Sequence, residues 1–166
     1  MHSFETRQIF PRAIYSASVN QLKRLLLAYR TFFQTATISI LLQTVLIYVG
    51  NAALLAADEM EQPECQFYLR VCLAGLKDLY GSYRQAWGMM KGLLSMSLKR
   101  GAMEPDEAGR IMREMMVLGQ HHKDPGETKS SSMMDLELAT TDPSAAQVNR
   151  VAEQFDALML TAKFRE

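Results

Sequence analysis

Cysteine is scarce in this sequence: Cys65 and Cys72 are the two among 166 residues. Two thiols cannot build a disulfide framework, and such scarcity points to a reducing compartment. Net charge is missing as well, with 18 basic against 18 acidic side chains. No overall basic field is available to hold nucleic acid, and no acidic field to repel it. There is no glycine-rich phosphate loop, no Gly-x-Ser-x-Gly elbow and no HExxH pair. The first twenty residues lack a continuous apolar core, so no secretory signal peptide is expected. The longest gap concerns charge of either sign: none occurs between Arg30 and Asp58.

Apolar residues are plentiful, at 48% of the chain. That content in a chain of this length suits one modest domain with a real core. Twelve methionines are present, and all but Met1 lie after residue 50. Methionine fills irregular gaps between helices, so adaptable core packing is the expected use. Charge is unevenly placed: Arg7, Arg12, Lys23, Arg24 and Arg30 make the first thirty residues basic on balance.

The periodicity is helical almost throughout, with no convincing strand. A first helix is expected over 15–33, with Val19, Leu22, Leu25, Leu26 and Tyr29 as its apolar face. The uncharged stretch forms a second. A third follows Pro63, with Cys65, Leu69, Cys72, Leu73 and Leu76 as its stripe. After a break at Gly81 and Ser82, a fourth covers 83–99, with Ala86, Trp87, Met90, Leu93, Leu94 and Leu98 inward. Gly101 should stop it. A fifth starts at EPDEAGR and carries Ile111, Met112, Met115 and Leu118 on one face. Residues 119–142 hold Gly, Pro, Ser and Thr with little period and read as a flexible linker, although MMDLEL inside it could dock as a short apolar element. A last helix should begin at 143, with Asp142 as its cap and Pro143 at its first position. The expected fold is therefore all-α: an irregular bundle of about six helices with a disordered linker before the last. The expected organisation is a helical domain over 1–118, the linker over 119–142 and a C-terminal helix over 143–166 that packs back on the domain.

The second helix admits two readings. A helix that is apolar nearly all round is either a buried core element or a membrane span. Its length and basic-before, acidic-after flanks permit a span over 35–57. Against this, Thr37, Thr44, Tyr48, Asn51 and Asp58 form a polar stripe that would need partners within lipid. The other amphipathic helices also need a buried partner. The core helix is the expected reading, and a single-pass membrane or helical adaptor protein is the alternative.

No constellation points to catalysis. His121 and His122 form the one histidine pair, with Asp124 as the close carboxylate, whereas a metal site needs three or four convergent ligands. Cys65 and Cys72 read as small buried hydrophobes. Glu104, Asp106 and Glu107 suit a helix start. GMMKG, residues 88–92, reads as a close helix-packing motif, since Lys91 argues against a membrane dimer. The basic run LKRLLLAYR reads as the outer face of an amphipathic helix. No catalytic, cofactor-binding or metal-ligating residue is expected.

Two longer stretches, SVNQLKRLLLAYRTFFQTATISILLQTVLIYVGNAAL and ECQFYLRVCLAGLKDLYGSYRQAWGMMKGLLSMSLKRG, resemble helix pairs in the regulatory (middle homology) region of fungal zinc-cluster transcription factors. Cys72, Leu76, Ala86, Trp87 and Leu94 match the pattern that recurs there. The tail TDPSAAQVNRVAEQFDALML is similar to the C-terminal helix of the branch with nitrogen-assimilation regulators. The resemblance implies a non-enzymatic all-α regulatory domain of a nuclear regulator of transcription by RNA polymerase II, in which the apolar second helix is a core helix and no membrane is involved. That domain modulates a DNA-binding module and sometimes senses a small effector. The module itself needs six cysteines and two zinc ions, and this chain has two cysteines. Zinc and DNA would therefore be bound only through a missing module. The expectation is a C-terminal fragment, from a truncated gene model or a paralogue without its reader. Its partners would be the rest of its own chain or a related zinc-cluster protein.

Overall fold

The computed structural model describes residues 5–32, 40–55, 62–119 and 132–163. Its described residues form six α-helices and no strand, so the chain is all-α. They divide into two compact units, residues 1–36 and 37–166. That boundary falls after Ala36, inside the expected domain over 1–118.

The first unit holds one helix, α1 (Glu5–Phe32). It starts ten residues before the apolar periodicity does and carries Pro11 in its interior. Proline lacks the N–H that would bond one turn back, so α1 has a missing rung there. Leu25, expected on the apolar face, is exposed.

The second unit holds α2 (Ile40–Leu55), α3 (Gln62–Tyr80), α4 (Ala86–Lys99), α5 (Pro105–Gly119) and α6 (Val148–Lys163). On α3, Cys65, Leu69, Cys72, Leu73, Leu76 and Leu79 are buried, as their three-and-four spacing predicts. The chain turns through residues 81–85, where Tyr83 N–H donates to the Leu79 carbonyl at 2.7 Å. It then enters α4. Every residue from Gly92 to Ser97 is buried. Lys91 is the one charge before the last residue of α4. That composition lets α4 lie against α2, α3, α5 and α6. α4 thus lies at the centre of this unit, and α2, expected as a core helix, is itself buried at Leu46, Val49, Ala53 and Leu54.

The end of α4 follows its sequence signal. Gly101 adopts φ 64°, the left-handed region that glycine enters without a Cβ clash. Ala102 N–H reaches the Ser97 carbonyl at 2.9 Å, and Gly101 N–H reaches Leu98 at 3.1 Å. The two bonds form a Schellman cap, which satisfies carbonyls that the helix end would otherwise leave unpaired.

No described helix is long and apolar enough to cross a membrane. The stretch considered as a span over 35–57 is described as α2 alone, 16 residues long, and its two ends lie outside the described residues.

The greatest departure from expectation concerns residues 132–147. They lie in or beside the expected linker, yet they are packed in place. Met133 and Gln147 form an antiparallel bridge, and a short 3-10 turn covers Leu138–Thr140. Asp142 does cap backbone, but at a single turn: its Oδ1 accepts from Ser144 and Ala145 N–H at 3.1 and 3.0 Å. The helix waits until Val148. The reason lies in the bridge. The Ala146 carbonyl is taken by Met134 and Asp135 N–H, and Val148 N–H by the Ser132 carbonyl. Residues 120–131, the rest of that expected linker, lie outside the described residues.

Candidate functional site

The polar residues of α2 lead to the most specific arrangement in the second unit. Asn51 is buried, with 1% of its surface exposed. A carboxamide enclosed among apolar side chains costs about 1–3 kcal/mol unless its hydrogen bonds are made. Asn51 makes three. Its Nδ2 donates to the Ile47 carbonyl one turn back at 2.9 Å and to the Met134 carbonyl at 2.8 Å. Its Oδ1 accepts from Leu136 N–H at 3.0 Å. A backbone carbonyl can only accept and an N–H can only donate, so these partners fix which way the amide points. One side chain thereby holds the carbonyl of one residue and the N–H two residues on. An edge strand would offer an extended peptide the same pair of groups.

The segment is seated by its side chains as well. Met134 is completely buried. It lies in a notch opened by Gly92 on α4: a Cβ there would come within 2.8 Å of Met134 Cγ. Gly88, one turn earlier on α4, does the same for α6, since a Cβ would lie 3.1 Å from Val148 Cγ1. The GMMKG stretch is thus a close-packing surface, and what it receives is the 132–148 segment. Lys91 between the two glycines turns outward to Asp156 on α6 at 2.8 Å, with its Nζ 5.9 Å from the Trp87 ring centroid.

Magnitudes show what holds the segment. Burying a methionine side chain is worth about 1.5–3 kcal/mol. Two hydrogen bonds from Asn51 add about 1–3 kcal/mol. The Arg100–Glu137 ion pair, with Glu137 largely in solvent, adds at most about 1 kcal/mol. Asn51 and Met134 carry the clasp, and the surface charges trim it.

Beside the clasp lies a cavity of about 420 Å³, walled by α2, the start of α4 and the docked segment. Gln43 and Thr44 line it from α2, Gln85 and Met89 from the α4 side, and Met133 and Leu136 from the segment. Gln85 Nε2 donates to Gln43 Oε1 at 2.8 Å. Gln43 is 4% exposed, and its own Nε2 is buried with no hydrogen-bond partner.

The other residues singled out from sequence do not converge. Cys65 and Cys72 are both buried, and Cys65 Sγ reaches the Ala53 carbonyl at 3.0 Å. Glu107 meets Arg70 at 3.4 Å and Arg110 at 4.0 Å. Glu114 on α5 meets Lys77 on α3 at 2.8 Å and Arg110 at 2.8 Å. The hydrogen bond and charge of Lys77, then those of Arg110, hold the Glu114 carboxyl below the usual glutamate range. His121, His122 and Asp124 lie outside the described residues. Among the described residues no group of three His, Cys, Asp or Glu side chains is placed to hold a metal ion.

Sequence reasoning placed Asn51 on the polar stripe of its helix and saw that MMDLEL could dock. It did not pair them. In the sequence Gln43 shows only as a polar exception on an apolar helix, and Gln85 carries no signal. Comparison with protein-family models, curated proteins and solved structures found no match.

Proposed function

We propose that this chain is a non-enzymatic regulatory fragment of the fungal zinc-cluster type, acting in the nucleus on transcription by RNA polymerase II. It works through protein contacts, with the rest of its own chain or with a related zinc-cluster protein. In this reading it has no DNA reader of its own, and zinc belongs to the missing module.

The observation that supports the reading is the α3–α4 helix pair. The resemblance rests on Cys72, Leu76, Ala86, Trp87 and Leu94. Four of these, all but Trp87, are buried on two helices that pack together. Trp87 is half-buried and lies against Tyr80 across the turn, with ring centroids 5.7 Å apart.

The test is to join the full chain to an unrelated DNA-binding module and measure a reporter gene. The reading expects reporter output to change severalfold relative to the module alone. Leu93→Asp, which puts a charge in the fully buried face of α4, should abolish the change. Output equal to that of the module alone would refute the reading.

A further inference from the structure

We infer that the face of α4 that holds residues 132–163 also takes the same segment from a second copy of this chain, in exchange for its own. The inference goes beyond the transcriptional reading and does not rest on it.

Charge comes first. From Ala86 to Arg100 the sequence has three basic residues, Lys91, Lys99 and Arg100, and no acidic one. Residues 132–163 hold five acidic residues against two basic. All three cations meet that segment: Lys91 pairs with Asp156 at 2.8 Å, Arg100 with Glu137, and Lys99 Nζ donates to Gln154 Oε1. The two surfaces are complementary in sign, which steers and orients an encounter between separate molecules.

Shape comes second. Gly92 and Gly88 leave the notches that Met134 and Val148 enter. Asn51 beside them bonds to the main chain at Met134 and Leu136. Each of these contacts recognises the segment itself, whichever copy carries it.

The segment is also incomplete without α4. Helix α6 lies chiefly on α4. Val148, Val151 and Phe155, with Met134 before them, are buried in the docked state. Lifted away, the segment keeps the Met133–Gln147 bridge, its turns and a helix of 16 residues. A helix of that length is marginal by itself in water. Every copy carries both the face and the segment, so two opened copies can close on each other. The product is a two-fold pair in which the Met134 of each copy fills the Gly92 notch of the other.

The covalent connection permits this. Residues 120–131 join α5 to the segment, and twelve residues reach at most about 40 Å. Helix α4, with 14 residues, is about 21 Å long. The connection therefore does not confine the segment to its own α4, and concentration sets the balance. Short tethers supply effective concentrations of roughly 1 mM, and exchange competes as the protein approaches that level.

Two variants of the full chain test the exchange. Met134→Asp spoils the segment and keeps the α4 face. Gly92→Leu keeps the segment and spoils the face, because leucine fills the notch that Met134 needs. Each is expected to be monomeric alone. Mixed at roughly 1 mM, they should give a one-to-one complex by light scattering. Amide exchange at Leu136 of the Gly92→Leu chain, isotopically labelled, should slow by roughly tenfold or more in the mixture. Added salt should weaken the complex, since its charge pairs are exposed. Asn51→Asp added to the Met134→Asp chain spoils the one intact face and should abolish the complex. Asn51→Asp alone replaces Gly92→Leu as the face-deficient chain if Gly92→Leu folds poorly. A mixture that stays monomeric, or a complex untouched by Asn51→Asp in the Met134→Asp chain, would overturn the inference.

Discussion

Asn51 bonds to main chain only: to Ile47 in its own helix, and to Met134 and Leu136, which lie 83 and 85 residues further along the chain. Substitutions there separate its donors from its acceptor. Asn51→Asp keeps the oxygen that Leu136 N–H needs and replaces both donors with negative charge facing the Ile47 and Met134 carbonyls. Asn51→Leu removes everything polar and leaves the backbone groups to find water or go unmet. Asn51→Asp is expected to cost more than Asn51→Leu, and the latter roughly 1–3 kcal/mol. Denaturant titration gives the order, and hydrogen exchange at Leu136 N–H gives the location. Exchange at Leu136 that stays unchanged in both variants would show that the clasp is held by other means. The sequence offers a trace of this residue, as an amide on an otherwise apolar helix. What it cannot offer is the partner, because a contact with backbone leaves no mark on the side chains it meets. Gly92 is legible in the same partial way. Its i, i+4 spacing from Gly88 announces close approach, and only the structure shows that Met134 is what approaches.

At the scale of elements, α3 and α5 are joined by charge. Arg70 pairs with Glu107, and Lys77 with Glu114. Both steps are seven residues and both rise in number together, so the two helices run the same way along this seam. Seven residues span about 10.5 Å, two turns, which keeps both pairs on one side. These are exposed pairs of small individual worth. Glu114 nevertheless reports on the seam. Its carboxyl is held below the ordinary value by Lys77 first and Arg110 second. A depressed folded value means that the pair stabilises the fold above the unfolded glutamate pKa. That contribution disappears as pH falls through the folded value. Lys77→Met should raise the Glu114 pKa towards the ordinary range and leave a residual depression from Arg110. A carboxyl-carbon NMR titration measures it, and an unmoved Glu114 would mean that the α3–α5 seam does not form in solution. Helix identity on α3, α4 and α5 was readable because burial there follows the 3.6-residue period over several turns. The start of α6 was not. Asp142 and Pro143 carry a genuine capping signature, but Ala146 and Val148 bond to the 132–135 segment and delay the helix by five residues.

At the scale of the second unit, α4 is the element on which the others depend. It touches four helices and, through Gly92, the clasped segment. The sequence favoured α2 as the centre because α2 carries the longest uncharged run. Hydrophobicity alone does not rank two apolar helices, since position in the packing depends on which one has neighbours on every side. Small residues gave the better clue: Gly88, Gly92, Ser95 and Ser97 let other elements come close to α4. The fold class was legible from period and composition. The wiring that makes residues 132–163 part of the unit was not, since it runs through backbone bonds and a single methionine.

That methionine gives the molecule an internal clock. Thioethers oxidise to sulfoxides according to how far peroxide can reach them. Met116 and Met133 stand in solvent at 54% and 38% exposure, whereas Met134 has none. Dilute peroxide should therefore mark Met116 and Met133 first. Met134 can react only when its segment lifts out of the Gly92 notch, so its rate of sulfoxide formation counts those openings. Peptide mass spectrometry over time resolves the two neighbours. Equal rates at Met133 and Met134 would mean that the notch is seldom filled. A wide gap, narrowed by Asn51→Leu, would time the opening of the clasp without any label. Because a sulfoxide is polar and bulkier than a thioether, each such opening carries a risk: a Met134 oxidised while outside would return to the notch less readily, and oxidant exposure would leave a growing share of molecules unclasped.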